Sequence, residues 1–527
     1  MSAGSIEGTP DAALAMLATV PSAAESSSPM GLLEQVLQRG VADVEARRTL
    51  DSFLGQTDRA SALEVWLVAQ GLSPAGLSLD RVGRLLSRDI ARLDEILARQ
   101  VNAILHHPRF QQLESSWRGL YFLAQQAQDA RERIGSEGGK SQIRIEMLSI
   151  SKVELVKDFD RASEFDRSQI WRKVYEEEFG MPGGEPFGVL VGDYEFANDP
   201  QDVELLGKMA EVAAGSFCPF IAGAAPKLLQ LDSFSTLEQP LNLSGTFDQL
   251  PYLRWRSLRD RDDARFIGLT LPRVLMRLPY EDDGSRADGF RFREDVEAPD
   301  YRNYLWGSSA YAFAAVLIRA FGASRWFADI RGMERDVEAG GVVTGLPVHS
   351  FSTDRRGVAT KASLEVRVSE SQEQELARLG LIPLCHAWDT DYCVFYSNAS
   401  LNKPKQYDEP AATANARISA MLQYVTCASR FAHYLKVIAR NKLGSFQSGE
   451  ELEKDLNRWL NQYVTVDAKA SPTIKARYPL FAGKVEVRDI PGSPGSYRLV
   501  MHLLPHFQLD RLTAALRLVT RLTSQPG

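Results

Sequence analysis

Cysteine is scarce in this chain: Cys218, Cys385, Cys393 and Cys427 are the only four thiols in 527 residues, and none forms a CxxC pair. A disulfide framework or a thiolate metal knuckle needs more sulfur at closer spacing, so a reducing cytoplasm is expected. Positive charge is short too. Against 68 Asp and Glu stand 61 Lys and Arg, a formal net charge of −7, which offers no field for condensing a nucleic acid. No run of about eighteen uninterrupted apolar residues occurs, so no direct membrane insertion is expected. GxSxG and HExxH are absent as well, and any catalytic chemistry would have to come from scattered residues.

What is present is an ordinary globular balance, 44% hydrophobic and 24% charged, in a chain long enough for two or three domains. Residues 1–30 stand apart. They are rich in Ala, Ser and Pro, and Glu7, Pro10 and Asp11 precede any Lys or Arg. That start does not suit a secretory signal, and so few large apolar side chains cannot offset the entropy of ordering; a disordered tail is expected.

From 31 to about 133 the pattern is helical. Leu86, Ile90, Leu93, Ile96, Leu97, Val101 and Leu105 recur at three- and four-residue steps, one apolar stripe on a helix that Pro108 should end or kink, with a second helix over 112–133. A segment of this kind forms an arm that packs on something else. Residues 142–150 (QIRIEMLSI) then alternate with period two, as a half-buried strand does. The stretch 187–196 reads as a strand, 202–217 as a helix and 218–223 as a short apolar run, an alternating α/β order. Residues 281–300 form an acidic exposed loop, and 304–321 a helix apolar nearly all round, hence buried. Strands are expected over 363–369, 385–397, 484–490 and 496–505, and helices over 413–444 and 506–522. The last would carry Leu509, Leu512, Leu516 and Val519 on one face. The fold class is α/β, mixed with α+β features. The expected domains are a tail (1–30), a helical arm (31–133), a central α/β domain (140–405) and a C-terminal domain (406–527).

The chemistry-bearing residues mostly resolve into structural roles. GSEGGKS (135–141) misses a phosphate-binding loop because the first glycine would have to stand at Ile134. It also follows a helix and precedes a strand, so no helix N-terminus faces a phosphate. It reads as a glycine-rich turn, with an NTP-binding enzyme as the alternative from another functional class. His106 and His107 are adjacent on a helix and point about 100° apart, which prevents joint chelation. Cys385 and His386 would face opposite sides of a strand, so a Cys–His nucleophile needs a contact the spacing does not supply. His502 and His506 bracket Pro505 and lack two further ligands. Asp389 and Asp391 share a face if their strand is regular, which suits a solvated edge better than an acid–base pair. No catalytic residue, metal or cofactor is assigned.

Several stretches, in order, carry a resemblance: ILHHPRFQQLESSWRGL (104–120), GEPFGVLVGDYEF (184–196), YLWGSSAYAFAAVLIRAF (304–321), GLPVHSF (345–351), RFAHYLKVIARNKLGSF (430–446) and PGSYRLVMHLLPHFQLDRLTAALRLVTRL (494–522). They resemble the large subunit of the contractile sheath of bacterial type VI secretion systems (the TssC/VipB, ImpC/EvpB family), which is related in fold to phage tail sheaths. The resemblance covers most of the chain from about residue 31. It implies a structural protein of the bacterial cytoplasm, with no enzymatic activity. Its implied partners are a small sheath subunit held by the N-terminal helices, copies of itself tied by strand exchange, an inner-tube protein and a baseplate. On a C-terminal helix, Asp510, Arg511, Arg517 and Arg521 are the implied tube contacts, or else charges that face solvent. In MGLLEQVLQRG (30–40), Leu32, Leu33, Glu34, Val36 and Leu37 resemble the helix gripped by a ClpV-type AAA ATPase; an ordinary first helix packed on the body is the other reading. Met30 and Gly31 depart from the family's pattern there, and Asn441 stands where the family usually has Asp. A phage-tail or other contractile-injection sheath is the nearest alternative.

Overall fold

The computed structural model describes residues 44–73, 77–135, 143–179, 181, 184–239, 241–284, 289–296, 301–333, 337–352, 359–387, 390–442, 449–467, 470–490, 497–506 and 516–522. The chain divides into two units, with the division between Ile96 and Leu97.

In the first unit, helices α1 (Val44–Leu54) and α2 (Arg59–Ala69) precede α3 (Leu79–Leu105), which runs on into the second. Asp58 caps α2 by accepting from the Ser61 N–H at 3.1 Å, and this bond holds its carboxyl below the usual range. At the other end of α2, Gln70 Nε2 donates to Asp89 on α3 (2.7 Å). The expected stripe on α3 is real, yet none of its residues is buried; Ile90, Leu97 and Ile104 remain about half exposed. Pro108 does more than end α3. It opens α4 (Pro108–Gly135) at the first helical position, where its missing N–H costs nothing.

The larger unit is built on a six-stranded sheet. Its strands, with the short hairpins between them, are β1 (Leu190–Phe196), β2 (Phe220–Ala224), β3 (Ile267–Leu271), β4 (Val274–Leu275), β5 (Trp306–Gly307), β6 (Val342–Val343), β7 (His349–Ser352), β8 (Ala359–Ala362), β9 (Ile382–His386) and β10 (Cys393–Phe395). The sheet order is β1-β2-β3-β9-β10-β6, parallel through β9 and antiparallel beyond. β2 and β3 are buried along their whole length, as the continuous apolar runs require. Period two divides them between faces. Phe220, Ala222 and Ala224 join the core under helix α6 (Pro200–Ser216), after α5 (Lys152–Arg161). Ile221 joins the opposite core under α7 (Ser309–Ser324), whose residues are buried nearly all round. Onto α7 packs α4. Gly119 lies against the Tyr311 ring so closely that a Cβ would sit 2.5 Å from it, and Gly322 meets Ala130 in the same way. The second helix of the expected arm is thus part of the larger unit's core.

The C-terminal residues form a second layer. Helix α8 (Glu370–Arg378) precedes β9, and α9 (Pro410–Ser419) and α10 (Leu422–Lys442) follow β10, with α11 (Gly449–Leu460) after them. The antiparallel sheet β11 (Leu480–Asp489), β12 (Tyr497–Pro505), β13 (Leu516–Leu522) closes the fold. Phe431, Leu435, Leu452, Leu456, Val485, Leu499 and Met501 make its core.

Five sequence expectations need correcting. The loop over 281–300, read as exposed, buries Phe292 and Glu294. The helix over 506–522 is instead a strand in its second half. LRLVTRL alternates as well as it spirals, and β12 offers a ladder, Leu516 opposite Leu503 through Leu522 opposite Tyr497. The strand over 385–397 is two strands joined by a turn. The stretch 363–369 makes only a single bridge, Leu364 to Val274. The helix over 413–444 is broken at Ala420–Met421, where Met421 bridges Ala399.

One expectation misses for a more informative reason. Residues 143–150 have no regular secondary structure, ladder to nothing among the described residues, and are exposed from Arg144 to Ser149 rather than alternating.

Candidate functional site

Three polar clusters fix the walls of a large groove. Where α3 turns into α4, Arg277 enters a nearly closed pocket with Glu294. It donates through Nη1 and Nη2 to the two Glu294 oxygens (the second at 3.0 Å) and through Nε to Glu114 on α4 (2.8 Å). Arg118 donates to the same Glu114 oxygen, and the Tyr280 N–H to Glu294 (3.0 Å). Burial alone would lower the Arg277 pKa; the bonds to Glu294 and Glu114 more than offset it and raise it instead. His106 stands 3.4 Å from the Glu294 carboxylate, while the His107 ring accepts from the Arg109 N–H. The two adjacent histidines therefore serve this corner separately.

On the next wall, Arg273 grips Glu195 of β1 with two parallel bonds (2.5 and 2.6 Å) beside Glu365, whose side chain is 5% exposed. Burial raises the Glu365 carboxyl, against the opposing pull of Arg273 and Ser233. Asp193 of β1 accepts from Ser116 of α4, and burial raises its carboxyl too.

At the far end α10 presents Arg430, His433 and Lys436. Lys436 donates to the Tyr175 hydroxyl among the rings of Tyr175, Phe179 and Phe217, and burial there lowers its pKa to about 8. His433 is 2% exposed. Its Nε2 lies 3.0 Å from the Ser216 carbonyl, so Nε2 carries the proton and Nδ1 is left an acceptor. Burial, then the charge of Arg430, lowers its pKa to about 3. The unfolded chain thus takes up a proton near pH 6.5 that the folded chain refuses until about 3. His433's contribution to stability is complete above that window and is lost as pH falls through it, at about 1.4 kcal/mol per pH unit. Acid unfolding of the His433→Gln variant should show that much less slope between pH 6 and 4; an unchanged slope would contradict the assignment.

Between these walls lies a cavity of about 1850 Å³, lined by α4, residues 143–152, β1, α7 and α10. Drug-sized ligand pockets run roughly 300–1,000 Å³, so this one suits a chain segment better than a small molecule.

The other residues singled out from the sequence do not converge here. Cys393, not Cys385, approaches His386 (3.9 Å) because the two pair across the β9–β10 turn. Burial holds the Cys393 thiol at about 12 and lowers His386, so both are neutral near pH 7. Asp391 sits in that turn, which removes the regular strand it was to share with Asp389; Asp389 lies outside the described residues. His502 pairs with Lys484 in the ladder, and His506 stands edge-on to Phe481. Among the described residues no three His, Cys, Asp or Glu side chains gather as metal ligands. Positions 517 and 521 ladder opposite His502 and Arg498. Asp510, Arg511, the stretch 136–141 of the glycine-rich turn, and Leu32, Leu33, Glu34, Val36 and Leu37 lie outside the described residues. The groove itself was not foreseen. Its signal was present in the period-two run at 143–150.

The groove lies in the α/β body, along β1 and residues 143–152. Two family models match in tandem: the tail sheath N-terminal domain of the EvpB/VC_A0108 family over residues 87–402, and its tail sheath gpW/gp25-like domain over 411–522. The chain belongs to this tail sheath family. It is 42% identical to the "Type VI secretion system sheath protein TssC1" of Pseudomonas aeruginosa over 482 residues, 90% of this chain and 94% of that one. Among solved structures, a chain of the anti-feeding prophage baseplate covers 60% of this chain and 66% of its own length, at 11% identity and a TM-score of 0.30, too slight a likeness to bear on the fold.

Proposed function

We propose that the protein is the large subunit of the contractile sheath of a type VI secretion system. It assembles with a small sheath subunit and with copies of itself around an inner tube, in the bacterial cytoplasm, and contracts to propel that tube from a baseplate. The observation that carries this is the tandem match of both tail sheath domains, in order, together with 42% identity across nine-tenths of the chain. Its work is mechanical. Contraction is a downhill rearrangement stored in the extended assembly, and this chain uses no nucleotide.

Two finer assignments belong to the same reading. The segment 506–522 meets the tube, through Asp510, Arg511, Arg517 and Arg521. Surface ion pairs are worth roughly 0–1 kcal/mol each, so such contacts hold a tube in number and release it together. Residues 30–40, with Leu32, Leu33, Glu34, Val36 and Leu37, are what a ClpV-type ATPase grips when a spent sheath is recycled.

Co-expression tests the proposal. With its small subunit the chain should form tubes of cogwheel cross-section in negative stain, and isolated sheaths should shorten without ATP. Expressed alone it should aggregate. A stable lone monomer indifferent to the small subunit, or ATP hydrolysis intrinsic to this chain, would overturn the reading.

A further inference from the structure

We draw no further inference here: the strongest candidate, the outer face of the C-terminal sheet where Lys484, Arg488 and Arg498 stand in cross-strand rows with positions 517 and 521, carries nothing, because it belongs with the tube contact already proposed and nothing in the structure shows what else covers it.

Discussion

Arg277→Met should cost about 3–5 kcal/mol of stability, the usual consequence of leaving one member of a buried ion pair without its partner. Arg277 and Glu294 are 6% and 3% exposed, and the guanidinium supplies Glu294 with two bonds and Glu114 with one. Methionine fills much the same volume, so packing changes little and the loss is electrostatic. The double variant Arg277→Met with Glu294→Gln should recover most of it, because the amide no longer carries an uncompensated charge. Thermal unfolding of the purified complex reads both. If the double variant is as unstable as the single one, the arginine acts through its methylene packing, and the ion-pair account is wrong. The consequence extends beyond stability. Glu114 lies on α4, four residues before Arg118, and His106 closes α3. This cluster fastens the corner between two long helices to the 277–294 segment, and with it one wall of the groove. The single variant should therefore also weaken retention of the small subunit.

How much of this was legible beforehand follows a physical division. Elements specified by their own residues were readable: strand β1 with its apolar start, the short apolar run of β2, the all-round apolar helix α7, and the amphipathic α3 and α4. Misreadings fell where a distant partner decides. LRLVTRL satisfies both a helical and a strand period, and only the ladder offered by β12 selects the strand. The helix over 413–444 carries no internal Pro or Gly to warn of its break, which the Met421–Ala399 bridge imposes. The groove is the extreme case. Arg273 and Glu195 are 78 residues apart, Arg277 and Glu114 163 apart, and no local pattern announces such pairs. Residues 142–150 were read as a strand from their alternation, yet the described part, 143–150, joins no sheet among the described residues.

Phe431→Ala should cost a further roughly 3–5 kcal/mol, and locally rather than uniformly. Phe431 is fully buried on α10, stacked on Trp326 with centroids 3.9 Å apart, and bordered by Trp459 and Tyr463 at the end of α11. These rings fasten α11 to α10. α11 in turn closes the edge of β11 through Asn457 and Glu453. Removing the ring opens a cavity that its rigid aromatic neighbours cannot fill. Hydrogen exchange should then show β11 and β12 losing protection well before the six-stranded sheet does. Phe431→Leu, which keeps most of the volume, should cost less than about 1.5 kcal/mol and leave that edge closed. Uniform loss of protection across both sheets would mean that the C-terminal layer has no stability of its own to lose. Selective loss ties sheath assembly to this one aromatic stack: an unplugged β11 edge recruits strands indiscriminately, so the alanine variant, co-expressed with the small subunit, should give tangled aggregates in place of tubes, and the leucine variant tubes.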